Sequence, residues 1–203
     1  MTSRSDRPYD IIVFGATSFV GKILCRYLVE RHGTDGDLAW AIAGRNEAKL
    51  AALAKATGAD VARIVADAGE ADAMAELAES TRLVISTVGP YALYGSELVA
   101  AVAAAGTDSV DLTGEPQWMQ RMIDTHSTTA EASGARIVHT CGFDSIPSDL
   151  GVWFTQGQAS ARFDEPCTAI AMRVRAMKGG ASGGTIASMT VSYTHLRAHE
   201  TTN

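Results

Sequence analysis

The sequence predicts an α/β fold, in which a doubly wound parallel sheet is covered by helices on both faces. Short apolar runs rich in β-branched residues, typical of strands buried on both faces, recur along residues 9–140. Segments of helical periodicity separate them, and six strands alternating with helices are what a doubly wound sheet requires. The first run also ends at a glycine followed at once by a helix, which is the strand–turn–helix unit of this fold class.

The turn between the first strand and the first helix is suited to an anionic ligand. Residues 11–14 form the predicted strand, Gly15 ends it, and Ser18 is placed to cap a helix that runs to Arg31. Free N–H groups and the positive end of the helix dipole would face a pyrophosphate there. Gly21 permits close packing of the helix on the strand, although Ser18 replaces the usual middle glycine of this motif. The alternative is a turn with a purely structural role. The residues expected to contact a dinucleotide are Gly15, Ala16, Thr17, Ser18, Phe19, Val20 and Gly21.

The second predicted strand, residues 38–43, ends beside an arginine rather than an acid. In this fold the end of the second strand meets the adenosine ribose, where an acid favours NAD and an arginine accommodates a 2′-phosphate. Arg45 occupies that position, and no acid precedes Glu47. The sequence therefore predicts NADP, with NAD less favoured. The alternative for Arg45 is a solvated side chain at a helix start.

The remaining elements follow in alternation. Strands are predicted at 61–66, 83–88, 109–112 and 136–140, and helices at 46–58, 71–80, 96–105 and 117–133. Asp67 follows the third strand, where its carboxylate either reaches the adenine edge or caps the next helix. Helical spacing predicts these inward-facing side chains: Ile23, Leu24, Tyr27, Leu28, Leu50, Leu53, Met74, Leu77, Ala78, Met119, Met122, Ile123 and His126.

The turn after the fourth strand contains two of the three catalytic candidates. It lies across the topological switch from the first strand, at the crevice where open α/β sheets bind ligands. Gly89, Pro90 and Tyr91 are expected to line the nicotinamide side of this crevice. A phenol of Tyr91 or Tyr94 there could hydrogen-bond a carbonyl or pass a proton, and packing is the alternative role. Asp144 is a third candidate near the reacting end of the cofactor, with helix capping by Asp144 or Ser145 as its alternative.

Several other chemistries are not expected. Cys141 would need a histidine to activate it, and His139 should point the other way on its strand. No metal site is predicted, because His195 and His199 have helical ligand spacing but no glutamate between them and no third ligand. A net charge of −6 argues against a nucleic-acid partner. Three separated cysteines and the lack of a long apolar run favour a reduced cytoplasmic protein without a transmembrane segment.

The composition changes after the sixth strand. Residues 1–154 are predicted to form an NAD(P)-binding, Rossmann-type domain, and residues 155–190 the beginning of a substrate domain. Within the latter, 155–166 is predicted as a loop and 168–177 as a strand of a second, half-exposed sheet, because its apolar and polar residues alternate. A glycine-rich turn at 179–185 follows, with a helix beginning at Thr185.

Several motifs together resemble the saccharopine dehydrogenase-like oxidoreductases, and among them the actinobacterial trans-acting enoyl reductases. The matching segments are 15–21, 43–45, 88–91, 94–95, 111–115, 141–149 and 179–185. The resemblance implies a Rossmann NAD(P) domain followed by an α+β substrate domain. It also implies reduction of a carbon–carbon double bond on a polyketide-type or glycolipid precursor, a lipid thioester delivered by a polyketide synthase. Some relatives associate with membranes or lipid droplets, so a peripheral position at the plasma membrane is a further expectation.

Two alternatives and one departure accompany this resemblance. The alternatives are a reductase of an amino-acid-derived substrate and a non-catalytic, NADP-binding lipid-surface module. Family members are considerably longer, and the likeness covers residues 9–189. Residues 191–203 are therefore expected to be a non-native tail, and the substrate domain to be truncated. Such a chain would bind cofactor without turnover.

Overall fold

Six strands alternate with helices in a computed structural model that describes residues 6–176, 178 and 183–200. The strands are β1 (Tyr9–Phe14), β2 (Trp40–Gly44), β3 (Ala62–Val65), β4 (Thr81–Ser86), β5 (Asp108–Asp111) and β6 (Ile137–Val138). The helices are α1 (Phe19–His32), α2 (Glu47–Thr57), α3 (Ala71–Glu79), α4 (Tyr91–Tyr94), α5 (Ser96–Ala105), α6 (Pro116–Ser133), α7 (Ile146–Phe163) and α8 (Gly183–Glu200).

The strands form one parallel sheet in the order β3-β2-β1-β4-β5-β6. Ile12 of β1 lies opposite Ala41 of β2 on one side and Val84 of β4 on the other. From β1, the chain first adds β2 and β3 on one side and then β4, β5 and β6 on the other. The direction in which strands are added therefore reverses between β1 and β4. This confirms the predicted doubly wound, Rossmann-type sheet and creates a crevice where the ends of β1 and β4 diverge.

The core has two layers, one on each face of the sheet. Alternate residues of a strand point to opposite faces, so Ile12 and Phe14 join one cluster and Val13 joins the other. The first cluster is completed by side chains of α3 and α5, among them Met74, Leu77, Leu98 and Val102. The second is completed by side chains of α1 and α2, among them Cys25, Leu28, Leu50 and Leu53.

The predicted inward faces are confirmed for α2 and α3 but are partly wrong for α1. Leu28 is buried, whereas Ile23 and Tyr27 are 52% and 54% exposed. The buried side of α1 is set by Gly21, which packs on the turn, and by Cys25. Residues two apart lie about 200° apart around a helix, so Ile23 and Cys25 cannot both face the sheet. On α6, Met122 is buried as expected, but Ile123 is exposed, and the buried Trp118 was not predicted.

The region after β6 differs from the prediction. Helix α7 extends to Phe163, so the loop predicted at 155–166 is wrong over most of its length. Its polar residues belong to a helix that is exposed on nearly all sides, with Ala159 as its buried residue. Pro147 lies in the first turn, where a proline needs no N–H partner. The predicted domain boundary between residues 154 and 155 falls inside this helix.

The strand predicted at 168–177 is not formed over residues 168–176. A strand requires a neighbour to receive its backbone hydrogen bonds, and none of the strands described above pairs with this segment. The predicted helix at Thr185 is confirmed as α8, which begins at Gly183. Residues 179–182 of the glycine-rich turn and residues 201–203 of the predicted tail lie outside the described residues, as do the side chains of His195 and His199.

Cys25 provides a test of the second core cluster. It is fully buried, and burial raises the pKa of its thiol to about 11. We expect a thiol reagent at pH 8 to modify the partly exposed Cys141 and Cys167 in the native protein while sparing Cys25. Peptide mass spectrometry after timed labelling measures this, with labelling in denaturant as the control. Native labelling of Cys25 as fast as that of Cys141 would show that α1 is not packed as described.

The raised pKa also predicts how stability depends on pH. The native state holds the Cys25 proton more tightly than the unfolded chain, whose thiol titrates near 9.0. The contribution of the Cys25 thiol to the free energy of unfolding is therefore fully present below about pH 9 and is lost as pH rises towards 11. Melting temperatures across this range should fall more steeply for the wild type than for Cys25→Ala. Parallel curves for the two proteins would contradict the expectation.

Candidate functional site

Two adjoining cavities lie at the carboxyl ends of the strands, along the crevice between β1 and β4. The first cavity, of about 230 Å³, is lined by residues that include Gly15, Arg45, Asp67 and Tyr94. The second cavity, of about 450 Å³, is lined by residues that include Phe19, Tyr91, Leu112 and Asp144. Ser18, Thr87 and Gly89 line both and so form their common border. The site thus brings together most of the residues predicted to bind a cofactor.

The turn from β1 to α1 has no room for side chains at its two glycines. Gly15 has a φ of +81°, and a Cβ there would lie 2.7 Å from Val88 Cγ2 and 2.8 Å from Thr87 Oγ1. A Cβ on Gly21 would meet the carbonyl oxygen of Gly15 and lie 2.7 Å from that of Ala16. Glycine at the first position therefore lets the turn pack directly on Thr87 and Val88, and glycine at the second lets α1 begin directly against the turn.

Ser18 caps α1 as predicted, and its hydroxyl is engaged within the protein. Its Oγ accepts a hydrogen bond from Gly21 N at 2.9 Å and lies 2.9 Å from Thr87 Oγ1. Thr87 Oγ1 lies 2.8 Å from the carbonyl oxygen of Gly15, so the threonine donates there and Ser18 donates to the threonine. The serine thus shapes the turn. The N–H groups of Phe19 and Val20, in the first turn of α1, have no acceptor within the helix.

Arg45 and Asp67 follow β2 and β3 and line the first cavity. Asn46 caps α2, its Oδ1 accepting from Lys49 N at 2.9 Å, so Arg45 directly precedes the cap and lies outside the helix. Arg45 forms no salt bridge with the residues that the structure describes. Asp67 Oδ1 accepts from Gly69 N at 3.0 Å, while α3 begins after Glu70. The capping role considered for Asp67 is therefore wrong, since this carboxylate closes a tight turn instead.

The two tyrosines lie in different environments. Tyr91 is 4% exposed; its hydroxyl donates to the carbonyl oxygen of Ser86 at 3.0 Å and accepts from Leu112 N at 3.4 Å. Burial, reinforced by the charges of neighbouring carboxylates, raises the pKa of Tyr91 above its ordinary value. This geometry favours the packing role for Tyr91. Tyr94 is 41% exposed and lines the first cavity beside Asp67, whereas the sequence placed it on the nicotinamide side.

Tyr91→Phe distinguishes packing from proton transfer. We expect the free energy of unfolding to fall by about 1–2 kcal/mol, because the carbonyl of Ser86 and the amide of Leu112 lose a buried partner. NADPH affinity should stay unchanged. Chemical denaturation and a fluorescence titration measure the two effects, with the exposed Tyr94→Phe as a matched control of unaltered stability. Loss of affinity in Tyr91→Phe without loss of stability would instead mean that the phenol contacts the ligand.

Asp144 remains beside the second cavity with no capping bond. Ser145 is the residue before α7, and its side chain makes no hydrogen bond to the helix. Asp144 is exposed and lines the second cavity. His139 Nδ1 lies 2.6 Å from Asp111 Oδ2, whereas the Cys141 thiol donates to the carbonyl oxygen of Val138, so the histidine pairs with the aspartate and not with the thiol. Pro90, expected to line the nicotinamide side, is buried and is not among the lining residues of these two cavities; its carbonyl oxygen accepts from the amides of Leu93 and Tyr94.

Two residues at this site were not singled out from the sequence. Thr87 joins the end of β4 to the glycine turn, and its position directly after the fourth strand was the available signal. Glu115 is 3% exposed and accepts hydrogen bonds from Tyr91 N at 2.9 Å and Ala92 N at 2.8 Å. Only its place in a motif shared with a family pointed to it.

Metal ligation and membrane spanning were also considered for the described part of the chain. Within it, His, Cys, Asp and Glu side chains do not come together in a group of three that could hold a metal ion. No helix among these residues combines the length and the apolar character needed to cross a bilayer.

Comparison with known proteins adds a family and a fold. Residues 11–138 match the family described as Saccharopine dehydrogenase NADP binding domain. A Mycobacterium tuberculosis (strain ATCC 25618 / H37Rv) protein provisionally named a trans-acting enoyl reductase is 45% identical over 186 residues, which are 90% of this chain and 44% of that protein. The "Lipid droplet localized protein" of Caenorhabditis elegans is 41% identical over 153 residues, covering 72% of this chain and 36% of its own length.

A solved structure shares the fold. Apo saccharopine dehydrogenase (L-Glu forming) from Saccharomyces cerevisiae superposes with a TM-score of 0.55 at 18% identity, over 75% of this chain and 32% of that one. The chain thus spans less than half the length of the curated relatives described above.

Proposed function

Because the chain belongs to the saccharopine dehydrogenase NADP-binding domain family, we propose that it forms the cofactor-binding part of an NADPH-dependent reductase. The observation that carries the proposal is the pair of adjoining cavities along the strand switch, with a guanidinium at one end and a helix N-terminus at their border. A dinucleotide needs such an extended crevice with an anion-binding turn near its middle.

The residues present fit NADP. Arg45 would pair with the 2′-phosphate, and Asp67 beside it would face the adenosine. The amides of Phe19 and Val20 would face the pyrophosphate, because Gly15 and Gly21 let the turn and the start of α1 pack closely together at the border of the two cavities. Gly89 and Tyr91 would border the nicotinamide end. When bound, the cofactor supplies a hydride, and the chain orients it and excludes water.

The second cavity suits an uncharged substrate better than a charged one. Its lining combines apolar side chains with hydroxyls and the carboxylate of Asp144, and no Lys, Arg or His among the described residues contributes to it. An amino-acid-derived substrate carries carboxylates that would need a cation, whereas an acyl chain would not. We therefore favour reduction of a carbon–carbon double bond in a lipid thioester, delivered in trans by a polyketide synthase. Asp144 is the candidate for passing a proton to the adjacent carbon.

The function is tested in two steps. The chain is first titrated with NADPH and with NADH, and we expect tighter binding of NADPH. NADPH oxidation is then followed with a full-length relative, comparing a 2-enoyl thioester with an amino-acid-derived imine. Turnover of the thioester supports the proposal, and turnover of the imine favours the alternative substrate class. Tight binding without any turnover would favour a non-catalytic role.

The exposed apolar side chains of α7 favour a second candidate, attachment to a lipid surface from the cytoplasmic side. Trp153, Phe154 and Phe163 are 75%, 61% and 68% exposed. A relative carries the name of a lipid droplet protein. Flotation with phosphatidylcholine vesicles, with Trp153→Ser/Phe154→Ser as the matched variant, tests this candidate. Flotation of the wild type alone supports it, and the absence of flotation in both proteins contradicts it.

A further inference from the structure

The carboxylate of Glu115 binds a distant segment of backbone. Glu115 lies at the start of α6 and is 3% exposed. Its Oε1 accepts from Tyr91 N at 2.9 Å, and its Oε2 accepts from Ala92 N at 2.8 Å. Both oxygens are therefore used on two successive amides that lie more than twenty residues earlier in the chain. Hydrogen bonds to an ionised carboxylate are among the stronger ones in proteins.

The segment held by Glu115 forms a wall of the second cavity. It begins where the chain leaves β4, and its residues Gly89 and Tyr91 both line that cavity. The phenol of Tyr91 is fixed separately by the carbonyl of Ser86, and its ring packs on Trp118 at a centroid distance of 5.5 Å. The main chain at residues 91 and 92 has the Glu115 carboxylate as its anchor.

The segment that carries Glu115 is itself ordered and lines the same cavity. Thr113 N donates to Asp111 Oδ1 at 3.1 Å, and Glu115 N donates to Thr113 Oγ1 at 3.2 Å. Leu112 and Gly114, from the same segment, contribute to the second cavity. Glu115 thus joins two of the segments that enclose one end of the crevice, and the other end, at Arg45, lies outside this network.

We propose, on the basis of the function proposed above, that Glu115 is a positioning residue for the nicotinamide half of the bound cofactor. It acts by holding residues 89–92 against the second cavity and not by touching the cofactor. A glutamine fills the same volume but offers one acceptor oxygen and places an NH₂ group against the second amide. Volume alone would therefore be preserved in Glu115→Gln, while the two-oxygen anchor would be lost.

The test compares two ligands on one variant. We expect Glu115→Gln to weaken NADPH binding about tenfold and to leave the affinity for 2′,5′-ADP, which lacks the nicotinamide, within about twofold. The fluorescence of bound NADPH should also lose anisotropy, because the nicotinamide end is held less firmly. Glu97→Gln, an exposed glutamate of α5, serves as the matched control and should change neither affinity.

Each outcome decides the matter. An equal loss of affinity for NADPH and for 2′,5′-ADP would mean that Glu115 has a general structural role. Unchanged affinity for both would mean that the anchor is dispensable. Either result overturns the inference. If Glu115→Gln does not fold, Glu115→Asp replaces it as the test variant, since it keeps two acceptor oxygens on a shorter side chain. It should also lose affinity for NADPH and not for 2′,5′-ADP, but by a smaller factor. Failure of the wild type to bind NADPH would instead contradict the proposed function.

Discussion

Gly21→Ala is expected to abolish measurable NADPH binding. The added Cβ would meet the carbonyl oxygen of Gly15 and lie 2.7 Å from that of Ala16. These atoms are backbone, so they cannot rotate away as a side chain would, and α1 must move from the turn. Overpacking of this kind destabilises a protein by about 1–3 kcal/mol. The shift would also move the amides of α1 away from the position proposed for the pyrophosphate.

Gly151→Ala is the matched control for this variant. Gly151 lies in α7, and a Cβ there would have no atom within 4 Å. We expect it to leave NADPH affinity unchanged and to stabilise the protein by about 0.5–1 kcal/mol, since alanine favours a helix over glycine. Calorimetric titration and thermal unfolding measure both properties. A folded Gly21→Ala protein with wild-type affinity would show that the turn does not carry the cofactor.

Arg45→Ala is expected to lower the preference for NADPH over NADH by about 10- to 100-fold. A hydrogen bond to a charged group contributes about 1.5–3 kcal/mol, and NADH lacks the 2′-phosphate that would receive it. Affinity for NADH should change little. Titrations of wild type and variant with both cofactors give the ratio directly, and its salt dependence should weaken in the variant.

Arg82→Ala provides the comparison for Arg45→Ala. Arg82 is also an exposed arginine, but its Nη1 donates to Asp10 Oδ1 at 2.9 Å at the amino ends of the strands, away from both cavities. It should leave the cofactor ratio as in the wild type. An unchanged ratio in Arg45→Ala would rule out the phosphate-binding role and favour a solvated side chain.

Local signals explain why the sheet and the glycine turn could be predicted from the sequence. One short stretch of sequence contains the strand before Gly15, the cap at Ser18 and the close packing at Gly21. The spacing of residues within that stretch is therefore enough to predict all three. The position of Arg45 depends only on where β2 ends. The fold class and the glycine turn were therefore predictable from the spacing of apolar residues and the positions of the glycines and the capping serine.

Contacts between distant segments could not be predicted in this way. Thr87 meets Ser18 across 69 positions, and Glu115 meets Tyr91 across 24, and no local pattern encodes such pairs. Ile23 was wrongly predicted to face inward, because a row of apolar residues along a helix does not show which of them contact the sheet. The strand expected at 168–177 depended on a pairing partner, which alternation along one segment cannot supply.

The position of Trp118 has a spectroscopic consequence. Its indole is 2% exposed and packs on Tyr91, which lines the second cavity; Trp40 is also buried, at 3%, whereas Trp153 is 75% exposed. The two shielded indoles should emit at shorter wavelength than the solvated one, and their emission overlaps the absorption of a reduced nicotinamide. Blue-side quenching that persists in a Trp40→Phe variant would therefore report occupancy of the crevice optically, without any added dye.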